Sequence, residues 1–326
     1  MSTPRPRPPL CPRPRPPEPG RGRPHLRFRR DGTFTIVQLT DVHWSTGEGA
    51  DRKTRSLIEE VLQVERPDLV VLTGDIVSGD GAPDPAEAYR QVAALVEAHG
   101  APWAAVFGNH DDEGRATRRD LLAVQRRHRR CLSEAGPKAL TGVGNYVLRV
   151  RASRSARMTA ALYFLDSGAY NDLGVGHYAW IARDQIAWFL ASAKRLRLPA
   201  LTFFHIPLPE WDEAWRNEVC RGHRHEPVCG PALNSGFFAA MVESGCVMGA
   251  FCGHDHVNDF EGELHGIRLC YGRATGFGAY GKAGFARGAR VIRLREGKRG
   301  FETWMRLQGG VKGEKAPVHA PEAWRA

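Results

Sequence analysis

The sequence predicts a layered α/β sandwich with sheets part parallel and part antiparallel, and three observations lead there. Short apolar runs (FTIVQLT, LVVLTG, WAAVFG, ALTFF, CVMGAFC) recur along the chain, each broken by a Gly or a polar residue, as buried strands and their terminal loops are. Between the first three runs lie two segments with apolar residues at helical spacing; that order, β-α-β-α-β, belongs to a parallel sheet. From residue 144 the pattern shifts to strand-like runs joined by short turns.

The elements follow in order. Residues 51–66 place Leu57, Ile58, Val61, Leu62 and Val64 near helical spacing and stop before Pro67, where helix geometry is disfavoured. Strand 69–72 comes next. A second helix over 85–99 starts at Asp84-Pro85 and ends at Gly100, a polar cap, an N-terminal proline and a closing glycine. Strand 103–107 follows, then a very basic helix over 114–132. NYVLRV and TAALYFLDS read as paired strands around the turn RASRSAR. A helix at 180–196 carries Trp180, Ile181, Ile186, Trp188, Phe189 and Leu190 inward. Strand 200–204, a long loop, a helix at 235–244 and strand 246–252 complete this part. GIRLCYG, ARVIRLREG and GFETWMRL read as antiparallel strands, the last two in a hairpin near Glu296-Gly297.

Composition narrows the class. At 326 residues the chain can bury a large core, and 42% hydrophobic and 25% charged residues are ordinary for a globular protein. The net charge of +10 is concentrated in residues 1–30, which hold nine Arg, one Glu and ten of the 22 prolines. The rest is nearly neutral, so basicity does not mark the folded part as a nucleic-acid binder. The expected organisation is a disordered Pro/Arg-rich tail over 1–30, a folded domain over 31–307 and a flexible end over 308–326. The tail reads either as a tether to nucleic acid, an acidic surface or an SH3-type partner, or as a dispensable leader. It has no signal-peptide apolar core, and no run is long enough for a transmembrane segment. Seven cysteines form no regular framework, so a cytoplasmic location is the default.

Five polar patches carry the chemistry: Asp41-Val-His43, Gly74-Asp75, Gly108-Asn109-His110-Asp111, His205, and Gly253-His254-Asp255-His256. Each stands at the end of an apolar run, where open α/β sheets bind ligands. Singly they have ordinary readings; Gly-Asp after a strand is commonly a turn, and His205 alone would be a satisfied core histidine. Together they suit two metal ions. A buried carboxylate such as Asp75 is costly unless paired or metal-bound, and its two oxygens can bridge two cations. Asp41, His43 and His256 would complete one site, and Asn109, His205 and His254 the other. Mixed oxygen and imidazole donors suit Mn, Fe, Zn or Co rather than a thiolate zinc site or a calcium cage. Two cations about 3.5–4 Å apart can hold an attacking hydroxide and both ends of an in-line phosphoryl displacement. His110 is placed to protonate the leaving oxygen, with Asp111 or Asp112 to orient it.

Other residues have two readings each. Cys220, His223, His225 and Cys229 form a loop cluster that would bind zinc, pair its cysteines, or wall the active-site mouth with His223 and His225 on a phosphate. Tyr280 and Lys282 lie in a Gly-rich loop that would approach substrate or merely turn.

The ordered set DxH, GD, GNHD, a single His and GHxH resembles the calcineurin-like metallophosphoesterase superfamily over roughly Phe34 to His256. The phrases LYFLDSGAY, FFHIPLPE, LNSGFF, GHDHVNDF and LCYG…GAYGKAGFARGARVI resemble its purple-acid-phosphatase-like branch, plant and fungal proteins some of which are called inactive. The resemblance implies an α-β-β-α sandwich with metals at the strand ends. Carried over by motif, Asp41, His43, Asp75 and His256 hold one metal, and Asp75, Asn109, His205 and His254 the other. One departure stands out. Purple acid phosphatases carry a tyrosine in GDxxY, where this chain has Ser78, and they lack a histidine at the position of His43. A colourless protein is therefore expected. The resulting expectation is a two-metal phosphoesterase, foremost on phosphomonoesters, by direct hydroxide attack without a phospho-enzyme. The alternatives are a phosphodiesterase or nuclease and a non-catalytic scaffold.

Overall fold

The computed structural model describes residues 24–313 and 316–321. The Pro/Arg-rich part before residue 24 lies outside them, as does any tether it would provide. Among the described residues no helix is long and apolar enough to cross a membrane.

Two sheets pack face to face. The first runs β13-β12-β11-β1-β2-β3: β1 (Thr33–Leu39), β2 (Leu69–Thr73) and β3 (Trp103–Val106) are parallel, while β11 (Gly288–Arg295), β12 (Phe301–Leu307) and β13 (Val311–Gly313) are antiparallel. The second runs β14-β7-β9-β10-β8-β6-β5-β4. Its middle is parallel: β5 (Met158–Phe164), β6 (Ala200–Phe203), β8 (Val247–Cys252) and β10 (Ile267–Tyr271). Antiparallel strands flank it: β4 (Tyr146–Arg151) on one side, and β9 (Glu261–Leu264), β7 (Cys220–Arg221) and β14 (Val318–His319) on the other.

Period-two alternation makes four layers of this. Phe34, Ile36, Leu69, Val71, Leu201 and Phe203 face the space between the sheets. Val37, Leu39, Val70 and Leu72 face outward against α1 (Ala50–Glu65), α2 (Pro85–Ala98) and α3 (Arg118–Gln125). On the far side α4 (Arg183–Leu196), α5 (Glu210–Asn217) and α6 (Phe237–Ser244) cover the second sheet. Between the sheets a row of rings crosses four strands: Tyr146–Phe164 at 4.6 Å, Phe164–Phe203 at 5.3 Å and Phe203–Phe251 at 5.2 Å. The α-β-β-α sandwich with mixed sheets is thus the one expected.

Several elements differ from the expectation. The basic helix shortens to α3, opened by a Thr117–Asp120 capping box. Beyond it the Arg130 carbonyl accepts the Trp103 N–H, turning the chain back along β3. The helix expected from 180 starts at Arg183 as α4; Ile181 before it and Phe189 on it are buried, whereas Trp180, Ile186, Trp188 and Leu190 are only half-buried. The long loop after β6 contains α5, which starts directly after Pro209 and buries Trp211 and Ala214. GIRLCYG does not pair with the final hairpin: β10 lies parallel to β8 in the other sheet, in a hairpin with β9. Residues 24–30, assigned to the tail on composition, are packed. Leu26 and Phe28 are buried and bond along β4 through Arg151. The end expected to fray also pairs, as β13 beside β12 and β14 beside β7, with His319 stacked on Trp215 at 4.0 Å. In each case a few apolar or aromatic residues in a polar stretch find an open sheet edge.

Candidate metal centre

All five patches converge where the parallel strands of both sheets end. The loops after β1 and β2 run together: the N–H groups of Asp41, His43 and Trp44 donate to the carbonyls of Gly74, Asp75 and Ile76. Along that path the backbone is left-handed at Asp41 (φ 50°), His43 (46°) and Asp75 (50°), as it is at His254 (79°) after β8. Asp and His tolerate this region better than most residues, and such strain collects at functional sites. Gly108 has no side chain because a Cβ would collide with the Asp75 carboxylate, whose Cγ would be 2.7 Å away.

Two groups of side chains can each hold a metal ion. One ligand-type atom from each of Asp41, His43, Asp75 and His256 lies within 4.8 Å of the others, and so do those of Asp75, His205 and His254. Asp75 belongs to both. His43 Nε2 and His256 Nε2 face each other at 3.2 Å, and His254 Nδ1 and His205 Nε2 at 3.3 Å. His205 Nδ1 donates to the Thr73 carbonyl (2.8 Å) and His256 Nδ1 to that of Tyr280 (3.2 Å). Both turn Nε2 inward, the usual orientation of a ligating imidazole.

The buried atoms fit cations. Asn109 Oδ1 has no hydrogen-bond partner, which buried polar atoms rarely tolerate, and Asp75 Oδ2 is faced by the ring nitrogens of His205 at 3.1 Å and His43 at 3.7 Å. Burial pushes His43 down to about 4, His254 to about 3 and His256 to about 2, so their rings are neutral at pH 7 and offer lone pairs. Burial also opposes charge on His205 and Asp75, but across the 3.1 Å between Nε2 and Oδ2 each outweighs it for the other: His205 rises to about 9 and Asp75 stays well below the usual carboxylate range, so Nε2 carries a proton whose place a cation would take. Burial lifts Asp41 to about 7. An oxygen-and-imidazole set this dense in lone pairs suits two transition-type divalent ions.

His110 is half-exposed at the mouth. Its Nδ1 meets Glu113 Oε2 at 2.5 Å. The expectation that Asp111 or Asp112 orients it fails. Asp111 is fully buried and accepts four backbone N–H groups, from Asp75 (3.0 Å), Ile76 (2.8 Å), Val77 (3.1 Å) and Gly108 (2.7 Å). Asp112 pairs with Arg118, which also bonds the Gly108 carbonyl and Asp166 beyond β5. Sequence reasoning missed Glu113, although its i+3 spacing from His110 was there to read. It also missed Tyr170 and Tyr178, which only the loop's path brings in; Tyr178 sits edge-on to His254 at 4.5 Å.

Of the outer candidates, Tyr280 reaches the centre: its ring stacks on His256 at 4.1 Å and its hydroxyl bonds Glu226 at 2.8 Å. Lys282 is exposed, in a turn its carbonyl makes with the Phe285 N–H. His223 and His225 flank Phe285 and bond Asp259 and Asn258. Cys220 and Cys229 are free thiols, on the carbonyls of Ala214 and Pro227, so the disulfide alternative falls. Neither belongs to a metal-type group among the described residues. Ser78 donates to the His43 carbonyl at 2.8 Å.

Comparison with known proteins agrees with this geometry. The calcineurin-like phosphoesterase family matches residues 34–258. An Arabidopsis thaliana protein named "Probable inactive purple acid phosphatase 29" is 35% identical over 87% of this chain and 85% of its own length. "Phosphatase DCR2" of Saccharomyces cerevisiae is 33% identical over 89% of this chain and 56% of its own. Among solved structures, a dimetal phosphatase from Danio rerio shares the fold, with TM-score 0.59 and 18% identity over 89% of this chain and 99% of its own. With ligand-type side chains at the ends of the same parallel strands that the family match spans, the chain belongs to the calcineurin-like phosphoesterase family, in its purple-acid-phosphatase-like branch.

Proposed function

We propose that this chain hydrolyses phosphate monoesters at a two-cation centre. Asp41, His43, Asp75 and His256 hold one ion, and Asp75, Asn109, His205 and His254 the other. The observations that carry the reading are the orphaned buried oxygen Oδ1 of Asn109, the Asp75 Oδ2 atom set between ring nitrogens of His205 and His43, and the two facing pairs of ring nitrogens. Two ions there would lower the pKa of a water and neutralise charge on the phosphoryl oxygens.

The chain's own groups handle the proton and the leaving group. Glu113 accepts the Nδ1–H of His110, leaving Nε2 to carry the proton delivered to the leaving oxygen. Burial works against the charged ring, but Asp75 and Glu113 outweigh it and raise the His110 pKa above its usual value. Its place at the mouth leaves room for an alcohol to depart. The word "inactive" in the plant relatives' names favours a scaffold as the second reading. Every ligand-type position is filled in this chain, and that supports activity.

The test is hydrolysis of p-nitrophenyl phosphate and bis-p-nitrophenyl phosphate by metal-stripped protein. Mn, Fe, Zn or Mg is then added back, with Asp75→Asn as control. Metal-dependent turnover of the monoester, lost in Asp75→Asn, is expected. Preference for the diester would move the reading to a phosphodiesterase. Stoichiometric metal binding without turnover would make the chain a scaffold, and no metal binding would sink the proposal.

A further inference from the structure

Tyr170 stands in the loop after β5, on the second sheet, yet its hydroxyl meets two residues of the loop after β3 on the first. It accepts a hydrogen bond from Asn109 Nδ2 at 3.1 Å and donates one to Glu113 Oε1 at 2.5 Å. Glu113 uses its other oxygen on His110 Nδ1, also at 2.5 Å. The donors and acceptors in this chain have one consistent assignment. The amide gives its N–H, the phenol gives its O–H, and the carboxylate receives both the phenol proton and that of the imidazole.

From this we propose that Tyr170 is a positioning residue that fixes two parts of the centre at once: the amide of Asn109 and the proton donor His110. The inference rests on the phosphoesterase reading for its His110 half only. Asn109 and its neighbours would otherwise leave open which way the amide faces. With Nδ2 committed to Tyr170, Oδ1 is the atom left without a partner, and Asn109 is 1% exposed. An oxygen held there is a cation ligand; an inverted amide would present N–H groups to the same ion. Outer partners that orient a ligand in this way are known to alter metal affinity.

The phenol is well placed because its own loop is tied down without help from Asn109. Tyr170 and Tyr178 pair across the loop, and the Asn171 N–H donates to the His177 carbonyl at 3.1 Å. The Asn171 side chain also donates to the carbonyls of Val175 and Tyr178. Tyr170 packs on His177 at 4.8 Å and on Tyr178 at 6.0 Å. Opposite it, Gly79 (φ 52°) gives Glu113 its room: a Cβ there would stand 2.7 Å from Glu113 Oε2.

Tyr170→Phe removes one oxygen from a side chain that is 39% exposed, so the variant keeps the ring packing. Two readouts are compared with the wild type. Titration calorimetry with Mn²⁺ reads the two binding steps without any turnover. Steady-state kinetics on p-nitrophenyl phosphate and on β-glycerophosphate, an alkyl ester whose leaving group needs a proton, read the His110 half. The weaker Mn²⁺ step is expected to lose about tenfold in affinity, with the other step unchanged. On the alkyl ester kcat is expected to fall about tenfold with little change in KM, and to fall less on the aryl ester. Glu113→Gln, which spares the Asn109 contact, should reproduce the kinetic loss with wild-type Mn²⁺ binding. Unchanged Mn²⁺ affinity in Tyr170→Phe overturns the proposal, whatever the melting temperature does. If the wild type turns over neither ester, the phosphoesterase reading fails, and the calorimetry still decides the Asn109 half.

Discussion

The carboxylate of Asp111 lies directly beneath Asp75 and accepts its backbone N–H at 3.0 Å, together with those of Ile76, Val77 and Gly108. Burial and the Asp75 charge push Asp111 up to about 6, so it is ionised at neutral pH and holds the turn by four charge-assisted bonds. Each oxygen takes two donors, and neither position accommodates an NH2 group. Asp111→Asn is therefore expected to cost about 3 kcal/mol, seen as a lower denaturation midpoint. Metal content should fall with it, because the turn is what presents Asp75. Wild-type stability and metal content in the variant would refute this role.

Glu113 tunes His110. Burial disfavours the imidazolium, Asp75 and Glu113 favour it, and the balance lies above the usual histidine value. A general acid works while protonated, so its pKa sets the alkaline limb of kcat. Removing the Glu113 charge lowers that pKa, and Glu113→Gln should move the alkaline limb to lower pH. A pH–kcat profile on an alkyl phosphate checks the sign; a limb that stays put, or moves up, excludes the pairing as functional.

Gly108→Ala tests the close approach of two loops. The added methyl would meet Asp75 Cγ at 2.7 Å as well as its Oδ1 and N, and nothing there is a flexible chain end. Overpacking of this kind costs about 1–3 kcal/mol, and displacement of Asp75 should also empty both metal sites. Metal analysis of the folded variant is the readout.

Colour is a fourth test. Ser78 occupies the tyrosine position of GDxxY and spends its hydroxyl on the His43 carbonyl. The nearby phenols of Tyr170 and Tyr280 are bonded to Glu113 and Glu226. Protein loaded with ferric iron should show no visible phenolate-to-iron band. A purple product would mean that one of these tyrosines can swing onto the metal.

The sequence by itself determined the sandwich and the ligand-type residues. Runs such as Leu69–Thr73 and Val247–Cys252 are apolar on both faces because both faces are covered, and periodicity reports burial directly. Asp75 and His205 were legible because a charged or polar group straight after such a run has to be explained chemically. Tertiary structure alone decided the rest. It assigned Asp111 to the backbone and Glu113 to His110, although all three stand within four residues in one loop. It brought Tyr170 across from the other sheet, and it sent Ile267–Tyr271 to pair in parallel with Val247–Cys252 rather than with the last hairpin. Local pattern fixes whether a side chain must be buried; which distant loop supplies its hydrogen-bond partner depends on the path of chain that the packed sheets impose.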